Sequence, residues 1–498
     1  MKNIFVILLA ILTSLIILQT PVARSSTITV PTDYPNIQSA IDHASPGDTI
    51  VVRQGLYEGF RINKALTIVG EGPDKVIVNG TVEIRADNVI IESMKIVLNN
   101  PSSGLVSGVV TLAKGTLLEN IVIESDASGI QVGDMDHYNA DATLKEVVVV
   151  AGRLDYSQNP AGVWGACESL TVHSSSINTV NGHGVIGCRS LNIYLSKITA
   201  EFTAVKMGSG VLKNSQVSSK TDIGVAAGGA NAVIESNTIT GAIGVDIPSG
   251  SEGNIVFANV ISGGQIGVSL AGSKNTISNN TISGEHAVEL YGSDNMITYN
   301  NLTGGRGIHG KNGAGNIIAF NILFKTGKIG IYMSSFTSSN LIYGNTFWYC
   351  YNYNAADESG RNQWYFENES VKMGNYWYDH TSPDANSDGI VDTPYNITTT
   401  TDLNIVDKYP LAKPFIIPLQ QYASTTTTTS FQTTGTTTTT PSQTTTSTSL
   451  ITETSPYTRP EEKTVEPWIT GYTIVALISV LIFAVILLFK WKKVFKLR

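Results

Sequence analysis

Charge is scarce in this 498-residue chain: Asp, Glu, Lys and Arg together make up 14%, against roughly 25% in an ordinary soluble protein. Cations are scarcer still where a surface would need them. Of the 32, five sit in the last nine residues (Lys490, Lys492, Lys493, Lys496, Arg498), and Lys2 and Arg24 lie near the start. Residues 26–489 are left with 25 cations against 40 anions. Such a chain offers no basic surface to neutralise a phosphate backbone, so nucleic-acid binding is excluded. Its 46 Gly and 17 Pro are too few for a collagen-like protein.

Both ends read as addresses. Lys2 precedes an apolar run from Ile4 to Leu18, then Pro21-Val22-Ala23 and polar residues. That order predicts a signal peptide over 1–25. The run Ile469 to Phe489 is 21 residues, about 31 Å as helix, enough to span a bilayer. Trp468 and Trp491 flank it, and the cationic tail follows the positive-inside rule. A transmembrane helix is expected over 468–490, with a basic cytoplasmic tail at 491–498 and the remainder outside the cell as a single-pass ectodomain. Before the span, residues 416–467 form a Thr/Ser-rich stalk without the apolar side chains to pack a core. Its hydroxyls suit O-glycosylation, and its 44-residue densest tract, 424–467, reaches at most ~150 Å. Sequons at Asn79, Asn279, Asn301, Asn368 and Asn396 agree with an extracellular glycoprotein.

The middle repeats. A tetrad recurs as Gly162-Val163-Trp164-Gly165, Gly184-Val185-Ile186-Gly187, Ala204-Val205-Lys206-Met207, Gly224-Val225-Ala226-Ala227 and Gly244-Val245-Asp246-Ile247. It goes on as Gly267-Val268-Ser269-Leu270, Ala287-Val288-Glu289-Leu290, Gly307-Ile308-His309-Gly310 and Gly330-Ile331-Tyr332-Met333. In another phase, Asn237, Asn259, Asn280, Asn300, Asn321 and Asn345 each precede an apolar residue by two, and five of the six have a further Asn five residues earlier. A unit of about 21 residues cannot bury its own apolar face, so units must stack. Short β-branched runs with tight turns and no helix per repeat predict an all-β, right-handed single-stranded parallel β-helix of about 21 residues per coil. A leucine-rich repeat would show a Leu ladder, and a propeller a period near 40. Inward Val/Ile ladders and stacked, hydrogen-bonded Asn side chains are expected. The spacing of Ile37, Ala40, Ile41 and Ala44 predicts a short amphipathic helix capping the N-terminal end. The helical rod is expected over 26–346, followed at 347–415 by an aromatic-rich cap. Eleven aromatics crowd residues 347–378, either to close the end of the rod or to stack on sugar rings.

The opening YPNIQSAIDHASPGDTIVVRQGLYEGFRINKALTIVGEG, through Ile37, Gln38, Pro46-Gly47-Asp48-Thr49-Ile50, Gly55, Tyr57, Lys64 and Gly70, resembles the start of NosD-like proteins of the pectin-lyase-like superfamily. The stretch GNYWYDHTSPDANSDGIVDTPYNI with Asp407-Lys408-Tyr409-Pro410-Leu411 resembles that family's ending. The resemblance spans about residues 28–415 and implies the β-helix fold. The superfamily includes lyases, hydrolases, esterases, epimerases and non-enzymes, and some NosD-like relatives are implicated in copper supply to a reductase.

Three groups of residues carry chemistry. Asp384, Asn386 and Asp388 with Gly389, the Ile390 carbonyl and Asp392 offer the alternating oxygens a structural Ca²⁺ requires. Tyr395 stands where an EF-hand needs Glu. Cys167 and Cys188, one coil apart, suit either a disulfide or a reduced, buried pair; a copper site there lacks His or Met at ligand spacing, with only His173 and His183 nearby. The third tetrad position faces outward and brings Asp246, Glu289 and His309 to one face. The two carboxylates stand two coils, ~9.6 Å, apart, a separation suited to acid and base in inverting glycoside hydrolysis. No Asp-Asp pair of the polygalacturonase type occurs. The expected function is a membrane-anchored cell-surface β-helix that binds an extracellular polysaccharide or builds the envelope. The alternatives are a polysaccharide hydrolase or lyase and a copper accessory protein.

Overall fold

The computed structural model describes residues 25–102, 106–154 and 159–416. Residues 1–24 of the expected leader, 417–467 of the stalk, and the span and tail at 468–498 lie outside them. Among the described residues no helix is long and apolar enough to cross a membrane.

The chain winds into an all-β, right-handed parallel solenoid of about 15 turns. Each coil gives one short strand to each of three parallel faces. The first face begins Thr27–Val30, Thr49–Val52, Thr67–Gly70 and ends with Leu341–Tyr343. The second runs from Gly55–Glu58 to Tyr376–Trp377, and the third from Arg61–Ile62 to Tyr353–Asp357. Strands Thr238–Ile247, Val260–Leu270, Thr281–Leu290 and Asn301–Gly310 run on from the second face into the third.

The tetrads stack on the third face in register. Val163 pairs with Val185, Val185 with Val205, Val205 with Val225 and Val225 with Val245. The file continues through Val268, Val288, Ile308 and Ile331. All nine side chains are fully buried, so the second position faces in and the third faces out, as expected. The preceding Gly is set by the neighbouring face. A Cβ on Gly244 would stand 2.4 Å from Ile261 Cγ2, and one on Gly267 2.4 Å from Ile282 Cγ2. The Gly-Val and Asn-x-Ile signals are therefore two sides of a single corner.

Both Asn series form interior ladders. Asn237, Asn259, Asn280, Asn300, Asn321, Asn345 and Asn375 each donate from Nδ2 to the Oδ1 of the next, at 3.0 Å throughout. Asn254, Asn275, Asn295, Asn316, Asn340 and Asn362 form a second such ladder at 2.8–3.2 Å. At the earlier coils Ser175, Ser196 and Ser215 hold the equivalent place, each hydroxyl accepting a backbone N–H from the coil before.

Coil length varies more than the expected 21. Stacked partners are 27 residues apart at Val82 and Val109, 28 at Val147 and Ser175, 21 at Ser175 and Ser196, 19 at Ser196 and Ser215, and 24 at Asn316 and Asn340. The corner loops absorb the differences while the strands stay stacked.

The predicted N-terminal helix forms over Ile37–His43. Asn36 is its N-cap, accepting from Ser39 N, and Ile37, Ala40 and Ile41 are buried. Lys64 Nζ donates to the carbonyls of Ile41, Asp42 and Ala44 at the helix end, where carbonyls otherwise lack partners. At the other end the aromatics divide. Phe347, Trp364 and Trp377 are buried, whereas Tyr349, Tyr351, Tyr353 and Tyr378 are exposed. Phe347 and Trp377 stack at 4.2 Å, and Trp377 and Tyr395 at 4.1 Å. Cys167 and Cys188 form a disulfide across one coil, with Cα atoms 4.5 Å apart, which leaves no thiols there for a soft metal.

Candidate functional site

The outward file of the third face reads Gln131, Trp164, Ile186, Lys206, Ala226, Asp246, Ser269, Glu289, His309 and Tyr332, each paired with the next. The structure thus brings Asp246, Glu289 and His309 onto one file, with Asp246 and Glu289 two coils apart across Ser269. A second outward file beside it carries Ile243, Ile266, His286, Arg306 and Ile329. Lys311 and Tyr291, just past the strand ends, close the far side.

These side chains converge on Glu289. The residue is 6% exposed, a burial that demands partners for its carboxylate. Lys311 Nζ lies 2.7 Å from Oε1, the Tyr291 hydroxyl donates to Oε2 at 3.1 Å, and His309 Nδ1 is 3.7 Å from Oε1. His286 and His309 stack with centroids 4.8 Å apart, and their Nδ1 atoms stand 3.1 Å apart, so one ring donates to the other. Tyr332 meets His309 edge-on at 5.4 Å. Arg306 approaches His286 Nε2 at 3.4 Å. Among the described residues it makes no ion pair with a carboxylate.

Burial would raise the Glu289 carboxyl, but the hydrogen bond and charge of Lys311 outweigh it and hold the pKa below the usual range. Burial, then the neighbouring His286 and cations, pushes His309 down to about 4, and burial lowers His286 as well. At neutral pH the pocket therefore holds a carboxylate, two neutral imidazoles and two cations. Asp246 behaves oppositely: burial raises it, with Asp222 adding to the rise and a Ser269 hydrogen bond opposing it.

The sequence reading missed His286, Arg306, Tyr291 and Lys311. A signal existed for two of them, because His286 and Arg306 interrupt a file that is otherwise Ile. The loop at Asp384, Asn386, Asp388 and Asp392 lies apart. Its carboxylates take the loop's own amides: Asp384 accepts from Asp388 N and Gly389 N, Asp388 from Ile390 N, and Asp392 from Ala385 N. Among the described residues, the His, Cys, Asp or Glu ligand atoms that converge as a trio are those of His286, Glu289 and His309, all within 4.8 Å of one another.

Residues 178–382 match the family described as periplasmic copper-binding protein (NosD). The matched segment contains the whole pocket, and it supports the NosD resemblance read at the two ends of the chain. That description names copper, and two imidazoles with a carboxylate form a nitrogen–oxygen donor set of the kind divalent copper takes. No curated protein sequence matches the chain. Among solved structures, the fold is similar to the A-module of the Azotobacter vinelandii mannuronan C-5 epimerase AlgE6, at 14% identity and TM-score 0.37, covering 66% of this chain and 92% of that one. It is also similar to the PL6 family alginate lyase AlyGC, at 14% identity and TM-score 0.43, covering 70% of this chain and 55% of that one. The Dettilon tailspike protein aligns at 16% identity and TM-score 0.36, covering 64% and 67%.

Proposed function

We propose that the protein is a cell-surface solenoid that binds a linear acidic polysaccharide along the outward file of its third face. The observation that carries this reading is the unbroken run of aligned outward residues from Trp164 to Tyr332. Neighbouring rungs lie about 4.8 Å apart on a rigid backbone, so the file meets an extended polymer over many units. Lys206 within it and Arg306 in the file beside it are cations without an ion-paired carboxylate among the described residues. Arg306 presents the planar fork that suits a sugar carboxylate, and Tyr332 and Tyr291 offer ring faces beside it. The expected leader and C-terminal span would place this face outside the cell, held by the membrane.

The test is retention of the detergent-solubilised full chain on immobilised acidic and neutral polysaccharides. Acidic chains are expected to retain it, and Arg306→Ala to weaken retention about tenfold, in line with the loss of a charge-assisted hydrogen bond. Equal retention on neutral chains, or none on either, removes the proposal.

A second reading, an enzyme on the same polymer, is favoured by the opposite displacements of Asp246 and Glu289, since two carboxyls pushed apart in pKa suit an acid and a base. Release of new chain ends that disappears in Glu289→Gln would support it.

A further inference from the structure

We propose that His286, Glu289 and His309 bind one divalent late transition-metal ion, copper(II) or zinc(II), on the third face. The proposal stands independently of the polysaccharide reading, and the family description that mentions copper assigns it no residues.

The geometry is the first argument. Ligand atoms about 2.0–2.2 Å from a tetrahedral metal stand roughly 3.3 Å from one another. The two imidazole Nδ1 atoms are 3.1 Å apart, and His309 Nδ1 lies 3.7 Å from Glu289 Oε1. Both separations need only small side-chain adjustments. The backbone supplies the placement: Glu289 and His309 are register partners on adjacent coils, and His286 lies on the same strand as Glu289.

The second argument is what surrounds the donors. Lys311 does not block the site, because a carboxylate has about four lone-pair positions and Oε1 can serve both. The Tyr291 hydroxyl on Oε2 orients the carboxylate, as outer partners do at metal centres. Arg306 must withdraw from His286 Nε2, a movement that its long contact makes easy.

Donor type decides the class of ion. Imidazole with carboxylate favours copper(II), nickel(II) or zinc(II) over calcium or magnesium, and the absence of thiolate or thioether disfavours copper(I). The three ligands leave further positions open on the outward side, where solvent or a sugar oxygen can enter.

The experiment uses the detergent-solubilised full chain, stripped with chelator and titrated with copper(II) or zinc(II) salt alone by calorimetry. One ion per chain is expected, together with a rise in melting temperature. Copper(II) electron paramagnetic resonance should show two equivalent nitrogens, one of which is lost in either His286→Ala or His309→Ala. Each of these variants, and Glu289→Gln, should weaken binding at least tenfold, and Tyr291→Phe about tenfold. Circular dichroism confirms that each variant stays folded, and His309→Gln replaces His309→Ala if that one does not. Cys167→Ser with Cys188→Ser should leave binding unchanged. Stoichiometric binding that survives both His substitutions, or copper(I) bound in preference to copper(II), overturns the assignment. So does no binding by the native chain. Since no polysaccharide is present, failure here leaves the polymer reading standing, and the reverse also holds.

Discussion

Asp48 shows how single residues hold the first coil. Its Oδ1 accepts from Ser26 N and its Oδ2 from Ser45 N, both at 2.7 Å, tying the start of the first strand to the turn that follows the helix. Those two amides keep its carboxyl below the usual range. The sign follows directly. A carboxyl depressed in the fold contributes stability that is present above its unfolded value, near 3.9, and is lost as pH falls through the folded value. Asp48→Asn turns an amide –NH₂ toward one of the two backbone donors, so it should lower the melting temperature at pH 7. At pH 3 the same carboxyl in the unfolded chain is mostly protonated, so the contribution is already shrinking and the gap between the two proteins should narrow. Thermal melts of both at the two pH values check this; a gap that widens in acid contradicts the role given to Asp48.

Among the elements, the Asn ladder separates structural polarity from functional polarity. Asn280 is 2% exposed. It accepts from Asn259 N and Nδ2 and donates to Val256 O, Ser278 O and Asn300 Oδ1. Asn280→Ala strands several buried groups, each costing about 1–3 kcal/mol. Since the neighbours share other partners, a net loss of about 2–4 kcal/mol in urea unfolding is expected. A loss under 1 kcal/mol would mean that the ladder is not the corner's main tie. This element was legible from the sequence because a fixed residue type must return at every coil to meet its own copy. The same logic made the inward Val file readable, and with it the outward file bearing Asp246, Glu289 and His309. It reveals less of the pocket's other half. His286 and Arg306 show only as single breaks in a mostly Ile file, and Lys311 and Tyr291 lie beyond the tetrad, so no repetition marks them. The early coils were hidden for a related reason: their corner loops differ in length, and a period is visible only where the loops are equal.

Across the solenoid as a whole, each coil's strands pair only with those of the adjacent coils, so stability is largely a sum of local interfaces and the ends are where unravelling begins. One tie at the C-terminal end is Asp407. The Asn ladder stops at Asn375, whose N–H donates to Asp407 Oδ2 at 2.7 Å; Trp377 Nε1 donates to the same oxygen at 2.9 Å, and Tyr409 N to Oδ1 at 3.0 Å. A carboxylate ends a polarised ladder well, because it accepts without needing to donate onward. Asp407 is fully buried, as is the Trp377 ring that it anchors. Asp407→Ala leaves three buried donors unmet at the rim, and the loss should stay local. Limited proteolysis is expected to clip the region after residue 347 early in Asp407→Ala, while fragments spanning the Asn237–Asn321 coils resist as in the native chain. Asn280→Ala should behave differently, weakening the middle and exposing sites on both sides of the third-face pocket. If Asp407→Ala loses its protection uniformly along the rod, stability is global rather than stacked coil by coil. The rigid file on which both the polymer and metal readings depend would then not survive damage at its far end.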